Sequence, residues 1–257
     1  MDIADLGRIL VVIPTYQERD NLPGVVARVR AAVPSADILI ADDNSPDGTG
    51  RLADELAERD ARIHVLHRPG KAGLGAAYLA GFRWALDRGY QVVVEMDADG
   101  SHRPEHLPEI LAALTDADVA LGSRWVPGGA VVNWPKSREA LSRLGNAYAR
   151  TVLGIPVRDA TGGFRAYRAN VLRAIPLDDV RSQGYCFQVD LVLRSIEHGF
   201  RVVEVPITFV EREHGASKMS RAIVAEALWR VTVWGVQRRL GLRSTSARPA
   251  VPDSVGG

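Results

Sequence analysis

The sequence predicts an α/β protein built on a doubly wound, mostly parallel sheet with helices on both faces. Two observations lead to this fold class. Short runs that are apolar throughout, such as ILVVIP and DILIA, alternate with helix-length segments from residue 8 onward. Strands of that composition are typical of parallel sheets covered on both faces. A chain of 257 residues is also long enough for one large domain with a buried core, which we expect over residues 1–240.

The first elements can be placed in order along the chain. Each strand segment is rich in Val, Ile and Leu, and each segment between strands is long enough for a helix. Strands are predicted at residues 8–14, 37–41, 62–68, 90–97 and 118–123, and helices at 20–32, 49–60, 73–88 and 104–114.

The pattern loosens after residue 123. Residues 125–136 contain two Pro, two Gly and no clear period, which predicts a long loop, and loops of that length usually carry function. A helix at 138–152, a strand at 161–167, a helix at 185–198, a strand at 201–210 and an amphipathic helix at 220–240 are expected to follow. Residues 241–257 have little to bury and are predicted to be a disordered tail.

Composition excludes several classes of protein. The formal net charge of +1 gives no overall field that would attract nucleic acid. The single cysteine, Cys186, cannot form an internal disulfide. Residues 1–20 lack the pattern of a signal peptide, and no window of 18 apolar residues predicts a membrane span. We expect a protein that is soluble or that binds a membrane only at its surface.

Two aspartates follow the fourth predicted strand. Asp97 and Asp99 stand one residue apart at its carboxyl end, which is where open α/β sheets bind ligands. Like charges this close either share a proton or share a divalent cation. Mg²⁺ or Mn²⁺ suits such a sparse set of carboxylates because both ions keep waters and bridge substrate phosphates. The alternative is that the two aspartates are helix caps or part of a solvated turn.

Polar residues at the ends of the first two strands reach the same edge. Pro14, Tyr16, Glu18, Asp42 and Asp43 follow these strands. The carboxylates can accept hydrogen bonds from a base or a ribose, and Tyr16 can lie near an aromatic ring, which together indicate a nucleotide. The alternative for the aspartate pair is a cap for the next helix. The stretch GKAGLG fits neither common phosphate-loop pattern, and packing is its favoured interpretation.

Isolated basic residues occupy the later strand ends and loops. Arg124, Arg138, Arg212 and Lys218 stand in the stretches GSRW, PKSREALSR and FVEREHGASK. Guanidinium groups bind phosphate oxygens in a bidentate manner. Each of these residues taken alone is typical of a solvated surface charge, whereas together with the two aspartates they indicate more than one bound phosphate group.

Eight motifs in order resemble one known family. They are VVIPTYQERDNLP, ADDNSPDGT, GLGAAYLAGF, MDADGSHRPEHLP, LGSRWVPGG, DATGGFRAYR, GYCFQVDL and EVPITFVEREHGASKM. Over residues 8–235 the chain resembles the polyprenyl-phosphate (dolichol-phosphate) mannose synthases, which are inverting glycosyltransferases of the GT-A fold. The resemblance implies transfer of mannose from GDP-mannose to a polyprenyl phosphate, with Mg²⁺ or Mn²⁺ and release of GDP.

The resemblance also assigns site residues. It implies that Asp97, Asp99 and Arg124 are catalytic. Nucleotide-sugar contacts are implied for Pro14, Tyr16, Glu18, Ile40, Asp42, Asp97, Ala98, Asp99, Arg212 and Lys218. The implied acceptor-phosphate contacts are Arg124 and Arg138, and the implied metal ligands are Asp97, Asp99 and Ser101. Many family members have Gln where this chain has Ser101, so the hydroxyl is expected to act through water.

An acceptor phosphate needs no general base. A phosphate monoester already carries about 1.5 to 2 negative charges near neutral pH, so the site must supply positioning and charge stabilisation instead. This requirement explains arginines where other transferases carry a catalytic carboxylate. Asp159 and Asp190 are therefore expected to have structural or orienting roles.

Two segments are candidates for contact with a membrane. The loop 125–136 offers Trp125 and Trp134 beside basic residues, and the helix 220–240 is broadly apolar with Trp229 and Trp234. Both fit an enzyme that lies on the cytoplasmic face of a membrane, either on the lipid or on a membrane-protein anchor. Packing against the protein's own core is the alternative for each segment.

Other functions fit parts of the sequence. A polyprenyl-phosphate glucosyltransferase that uses UDP-glucose would share nearly every motif. The stretch EMDADGS also resembles the strand end of haloacid-dehalogenase phosphatases, although that motif normally follows the first strand, whereas here it follows the fourth. A non-catalytic subunit that binds nucleotide sugars is the third alternative.

Overall fold

The structure of the protein is a computed structural model that describes residues 3–180, 182, 184–211 and 221–242. Its strands within these ranges are β1 (Ile9–Thr15), β2 (Asp37–Asp42), β3 (Ile63–His67), β4 (Val92–Glu95), β5 (Val119–Ser123), β6 (Ala130–Val132), β7 (Arg165–Arg168), β8 (Val202–Pro206) and β9 (Thr208–Val210). The α-helices are α1 (Leu22–Ala32), α2 (Thr49–Arg59), α3 (Leu74–Asp87), α4 (Leu107–Ala112), α5 (Lys136–Leu153), α6 (Ala169–Ala174), α7 (Tyr185–Glu197) and α8 (Arg221–Arg239).

A seven-stranded sheet organises the molecule. Its strand order is β3-β2-β1-β4-β7-β5-β8, and all neighbours are parallel except at β7, which runs antiparallel to both β4 and β5. Strands β2 and β3 lie on one side of β1, and β4 with the later strands β7, β5 and β8 lies on the other side. The order therefore reverses between β1 and β4, and such a switch point opens a crevice at the carboxyl ends of the strands.

The strands bury both of their faces. Along β1, Leu10 and Val12 belong to one hydrophobic cluster, whereas Val11 and Ile13 belong to the cluster on the opposite face of the sheet. Alternate side chains of a strand point to opposite faces, so a strand between two cores must be apolar throughout. This arrangement is the physical basis of the unbroken apolar runs in the sequence.

The last predicted strand is two strands in two sheets. Residues 201–210 divide at Ile207, whose backbone N–H donates to the carbonyl of Ser123 (3.0 Å) and whose carbonyl accepts from the N–H of Ala130 (2.9 Å). Pro206 has no N–H to continue the first ladder. The chain then pairs as β9 with β6 in a small parallel sheet, so the predicted loop at 125–136 contains a short strand.

Helices α5 and α8 pack closely against each other. A Cβ atom on Gly235 would lie 2.5 Å from the side chain of Val152, so only glycine permits this approach. The hydroxyls of Tyr148 and Thr232 lie 2.6 Å apart across the same interface. Of the helices in the described ranges, none combines the length and apolar character that a membrane span requires. Most of the predicted tail, residues 243–257, lies outside the described residues.

Candidate active site

Asp97 and Asp99 follow β4 at the switch point of the sheet. The buried hydroxyl of Tyr78 on α3 donates to Oδ1 of Asp97 (2.8 Å). Asp99 Oδ1 accepts from the backbone N–H of Ser101 (3.0 Å) and from its hydroxyl (2.5 Å). The Asp97 side chain keeps 29% of its surface exposed. The Asp97 carboxylate is thus held by Tyr78 and partly exposed, and the Asp99 carboxylate is fixed by the turn that it forms with Ser101.

The same contacts keep Tyr78 protonated. Burial raises the pKa of the Tyr78 hydroxyl, and the negative charges of Asp97, Glu95 and Asp99 raise it further. A neutral phenol is a hydrogen-bond donor. Tyr78 therefore holds Asp97 in place without removing its charge.

His102 supports Asp97 from the other side. Its Nδ1 accepts from the backbone N–H of Asp97 (3.0 Å), so its Nε2 carries the proton and faces Oδ2 of Asp97 at 3.9 Å. The ring stacks on Phe164 and makes a T-shaped contact with Phe209, with centroids 5.1 and 5.6 Å away. These two contacts fix the imidazole and, through it, the backbone at Asp97.

The acidic pair fits a hard divalent cation that brings further ligands. A Cβ atom on Gly163 would lie 3.8 Å from Asp97 Oδ2 and 3.3 Å from His102, so glycine leaves space beside the carboxylate. No group of three or more His, Cys, Asp or Glu side chains in the described ranges is arranged to hold a metal. Two carboxylates with room for outside oxygens match the sparse protein coordination of Mg²⁺. Ser101 contacts Asp99, and its role as a metal ligand stays a prediction.

Asp42 builds the loop that follows β2. Its carboxylate accepts from the Thr15 hydroxyl (2.9 Å) and from both the backbone N–H (3.0 Å) and hydroxyl (2.6 Å) of Ser45. The alternative that Asp42 and Asp43 cap α2 is wrong, because the residue before that helix is Gly48. Asp42 instead ties the end of β1 to the loop after β2.

A basic segment covers the ends of β1 and β2. Arg68 forms an ion pair with Asp43, and the backbone N–H of Ala72 lies 3.4 Å from the other oxygen of that carboxylate. Burial raises the pKa of Asp43, and the Arg68 charge opposes this rise. Lys71 Nζ lies 4.1 Å from the centre of the Tyr16 ring. The GKAGLG stretch thus brings a cation to the predicted nucleotide site, which the sequence interpretation had assigned to packing.

The remaining predicted nucleotide contacts in the described ranges are Pro14, Glu18, Ala98 and Ile40. Pro14 and Glu18 are half-buried at the end of β1, and Glu18 accepts from the side chain of Asn21 (2.8 Å). Ala98 is buried between the two aspartates, with 3% of its surface exposed. Ile40 is buried in the core with 0% of its surface exposed, and its contact with the nucleotide stays a prediction.

Arg124 is held by a buried carboxylate. Its Nε and Nη2 donate to the two oxygens of Asp159 (2.7 and 2.6 Å), and Nη2 also donates to the Thr161 hydroxyl (3.0 Å). Burial alone would raise the pKa of Asp159, but the Arg124 charge and hydrogen bonds hold it below its ordinary value. The contact agrees with the expected orienting role of Asp159, because the guanidinium plane is fixed by two parallel bonds.

Three aromatic rings surround the same guanidinium. Trp125, Trp134 and Phe209 each lie 5.4 Å from Cζ of Arg124, measured to the ring centres. Trp125 is only 9% exposed. The prediction that the tryptophans of the loop 125–136 extend toward a membrane is therefore wrong for Trp125, which packs inward. Of that loop, Val132 is the exposed large apolar side chain.

Arg138 lies on the outer side of this aromatic group. It pairs with Glu211, and its Cζ is 4.1 Å from the centre of the Trp134 ring. The described residues end at Glu211 and resume at residue 221. Arg212 and Lys218, which the sequence predicts to contact the donor diphosphate, lie outside the described residues.

A buried charged network beneath the acidic pair was missed by sequence reasoning. Glu95 is fully buried and accepts from Gln188 Nε2 (2.8 Å). Burial raises the pKa of Glu95 to about 7, opposed by the charge of Arg165. Arg165 donates to the carbonyls of Ala160 (2.7 Å), Gly162 (2.6 Å) and Gln188 (2.6 Å). The available signal was a carboxylate at the end of the apolar strand β4 and an arginine at the start of β7.

The family comparison covers most of these residues. Residues 10–175 match the family described as Glycosyl transferase family 2. That span contains the acidic pair, the loops after β1 and β2, and Arg124 with Arg138. The class of the protein is therefore a glycosyltransferase, and the chain belongs to this family. Membership confirms the predicted enzyme class and leaves the phosphatase alternative without support.

Two curated relatives define the family further. The chain is 60% identical over 235 residues to the polyprenol monophosphomannose synthase of Mycolicibacterium smegmatis, covering 91% of this chain and 89% of that protein. It is 58% identical over 238 residues to the undecaprenyl-phosphate mannosyltransferase of Micrococcus luteus, covering 92% of this chain and 98% of that protein. These relatives confirm the resemblance to polyprenyl-phosphate mannose synthases.

Solved structures confirm the fold class. A mycobacterial protein matches with a TM-score of 0.64 at 19% identity, covering 95% of this chain and 80% of that one. Glucosyl-3-phosphoglycerate synthase from Mycobacterium tuberculosis, in complex with Mn²⁺, UDP and its product, matches with a TM-score of 0.63 at 18% identity, covering 94% and 85%. At this identity the likeness extends to the fold alone.

Proposed function

We propose that the protein transfers mannose from GDP-mannose to the phosphate of a polyprenyl lipid, with inversion at the sugar carbon. One observation carries the proposal: a single ring, Phe209, lies close both to the histidine that supports the acidic pair and to a fixed arginine. Phe209 is 5.6 Å from the ring of His102, which supports Asp97, and 5.4 Å from Arg124. Separate places for two anions, one held through a metal and one by an arginine, suit a donor diphosphate and an acceptor phosphate.

The donor side is formed by the ends of β1, β2 and β4. Tyr16 and Glu18 are placed to contact the nucleoside, while Asp42 shapes the loop beside them. Asp97 and Asp99 would hold Mg²⁺ or Mn²⁺, which when bound neutralises charge on a diphosphate. The M. tuberculosis relative with bound Mn²⁺ and UDP supports a divalent ion with a nucleotide on this fold. Arg212 and Lys218 are proposed to reach the same diphosphate.

The acceptor side needs orientation rather than proton removal. Arg124 and Arg138 are proposed to bind the lipid phosphate and to hold one oxygen in line with the sugar carbon. That oxygen supplies the electron pair for the new C–O bond, while the bond from the sugar carbon to the diphosphate breaks and GDP departs with the electron pair of the broken bond. A base is unnecessary because the attacking oxygen is already ionised. Asp159 acts through Arg124 by fixing its orientation.

A lipid acceptor requires access to a membrane surface. The names of both curated relatives include a polyprenyl carrier, and the described helices include no membrane span. We therefore propose that the protein associates peripherally with the membrane that holds its acceptor. The expected position on the cytoplasmic face follows from a nucleotide-sugar donor, which is a soluble anion.

The direct test is lipid-linked mannose formation from GDP-mannose and polyprenyl phosphate with Mn²⁺. The wild-type protein is expected to form it, and Asp99→Asn to lose at least 100-fold in kcat/KM, as is usual when a charged group at the reacting centre is removed. Asp60→Asn is the matched control, because Asp60 accepts from the N–H two residues on in the same way but precedes β3. Equal activity of both variants would contradict the metal role.

The same assay, run with GDP-mannose or UDP-glucose, identifies the sugar donor. Product from UDP-glucose and none from GDP-mannose would move the assignment to the glucosyltransferase alternative. Binding of GDP-mannose with no product from either donor would favour the non-catalytic alternative. Both outcomes are distinguished from misfolding by the thermal unfolding of the same preparation.

A further inference from the structure

A basic cavity lies beside Trp125 and α5. It has a volume of about 170 Å³ and is lined by Trp125, Arg143, Ala147, Arg150 and Arg158. Three of its five lining residues are arginines, so the cavity concentrates positive charge in a molecule whose formal net charge is only +1. None of these arginines has been given a role in the proposed transfer reaction.

The arginines differ in how far they are already engaged. Arg143 is 4.2 Å from the centre of the Trp125 ring and pairs with Glu139 (2.8 Å). Arg150 and Arg158 are exposed, and neither side chain forms a hydrogen bond or an ion pair with another described residue. Two guanidiniums beside an aromatic wall can accept an anion without first breaking an internal pair.

The exposed face of α5 continues from this cavity to an apolar ridge, formed by Leu141 and Leu144 of α5 and by Leu228 and Trp229 of α8. Their exposed fractions are 42%, 69%, 40% and 70%. The contact between Tyr148 and Thr232 places the two helices side by side. Leu144 precedes Tyr148 by four residues and Leu228 precedes Thr232 by four, so each stands one turn back on the same face.

Helix geometry relates the ridge to the cavity. Arg143, Ala147 and Arg150 recur at intervals of four and three residues and form one edge of α5, toward Trp125. Leu144 lies on the adjoining outer face, and Leu141 lies farther round the helix on the side toward α8. The buried face of α5, which contains Ala149 and Leu153, is directed away from Leu144. Cationic and apolar groups therefore share one exposed surface.

We propose that this surface docks the protein on an anionic lipid leaflet, with the ridge entering the interface and the cavity binding the phosphate of an anionic headgroup. Apolar side chains beside unpaired arginines are the composition that binds such a leaflet. The inference rests on the proposed function, which requires a lipid acceptor, and extends it to a second lipid that is bound and not glycosylated. Trp125 lines the cavity and its ring centre lies 5.4 Å from Cζ of Arg124, so docking here places the acceptor-phosphate arginine near the membrane.

Co-sedimentation with vesicles tests the cavity. The vesicles are phosphatidylcholine with or without about one third phosphatidylglycerol. Arg150→Gln with Arg158→Gln is expected to lower the partition coefficient on the anionic vesicles by roughly thirtyfold, since each arginine near such a surface contributes about fivefold. Binding to the neutral vesicles should change little. The matched control is Arg59→Gln with Arg173→Gln, which removes the same charge from exposed sites elsewhere and should have a much smaller effect.

Two further measurements separate the possible failures. Trp229→Ser is expected to weaken binding to both kinds of vesicle, because it removes apolar area and no charge. Transfer to a short polyprenyl phosphate in detergent should be unchanged in the Arg150 and Arg158 double variant.

The outcomes distinguish the docking surface from the transfer reaction. Equal loss of binding to anionic vesicles in the cavity and control variants, or no loss of binding in either, would overturn the inference even if transfer proceeds. Normal vesicle results without any transfer in detergent would overturn the proposed function and leave the docking surface standing.

Discussion

Glu95 is a buried carboxyl group in the strand that leads to the acidic pair. It is fully buried two residues before Asp97, and its carboxylate binds Gln188 from α7. Isolated charges are costly in such an environment, and the protein responds with a pKa raised to about 7 by burial. Arg165 nearby uses its donors on backbone carbonyls. Glu95 and Arg165 thus link the strand that precedes Asp97 to the loop that contains Asp159.

The raised pKa of Glu95 predicts a pH dependence of stability. Between an ordinary value of 4.5 and about 7 the folded state keeps a proton that the unfolded chain has released, so stability falls as pH rises through this window. The loss should be on the order of 3 kcal/mol for a shift of this size. Chemical unfolding of the metal-free protein in chelator, compared with Glu95→Gln, measures it. Parallel pH profiles for the two proteins would contradict the prediction.

Sequence reasoning identified residues whose chemistry is visible at strand ends and missed those inside strands. The acidic pair and Arg124 were predicted because charge at the end of an apolar run has a positional meaning. The sequence positions of Glu95 and Arg165 do not indicate a role, because their hydrogen-bond partners include residues from distant segments. Ile40 is a residue that only the resemblance marks as a contact. Its position in the middle of β2 buries the side chain, and its role stays a prediction.

At the scale of elements, α3 connects the core to the site. The helix carries Tyr78, which holds Asp97, and one turn later Gly81, which faces β1. A Cβ atom on Gly81 would lie 2.5 Å from Val12, a side chain with few alternative rotamers in a packed core. The distance between α3 and the sheet, and with it the position of the Tyr78 hydroxyl, therefore depends on this glycine.

Gly81→Ala is expected to destabilise the protein by about 1 to 3 kcal/mol, because the added methyl group has no space. Gly24→Ala is the matched control, since Gly24 also lies in a helix but has nothing within 4 Å of the added atom. That substitution should stabilise by about 0.5 to 1 kcal/mol. Denaturant unfolding of both variants gives the comparison. A change in stability of the same sign in both variants would show that helix propensity, and not the close approach of α3 to Val12, determines the effect.

The order of elements was predictable and their pairing was not. Apolar runs and helix-length spacers located β1 to β5 and most helices within a few residues. Nothing in the composition of residues 161–167 indicated that β7 runs antiparallel, because direction is set by how the chain returns to the sheet. The division of 201–210 at Ile207 likewise depends on which carbonyls lie nearby. Pro206 was the one local sign of it.

At the scale of the whole molecule, the strand order explains why distant motifs form one site. Reversal between β1 and β4 places the end of each strand at a common crevice. The antiparallel β7 brings residues 159–164 back to the same edge, where Asp159 meets Arg124 and Phe164 meets His102. The candidate site could be predicted because each motif ends a strand, whereas the shared aromatic wall required the structure.

The central claim is that the acidic pair binds a donor diphosphate through a divalent ion. Titration of the protein with GDP, with and without Mn²⁺, tests it most directly. Mn²⁺ is expected to tighten GDP binding by roughly tenfold or more in the wild-type protein, which corresponds to about 1.4 kcal/mol, and to have no such effect in Asp97→Asn. Equal GDP affinity with and without Mn²⁺, or the same tightening in Asp97→Asn, would contradict the claim.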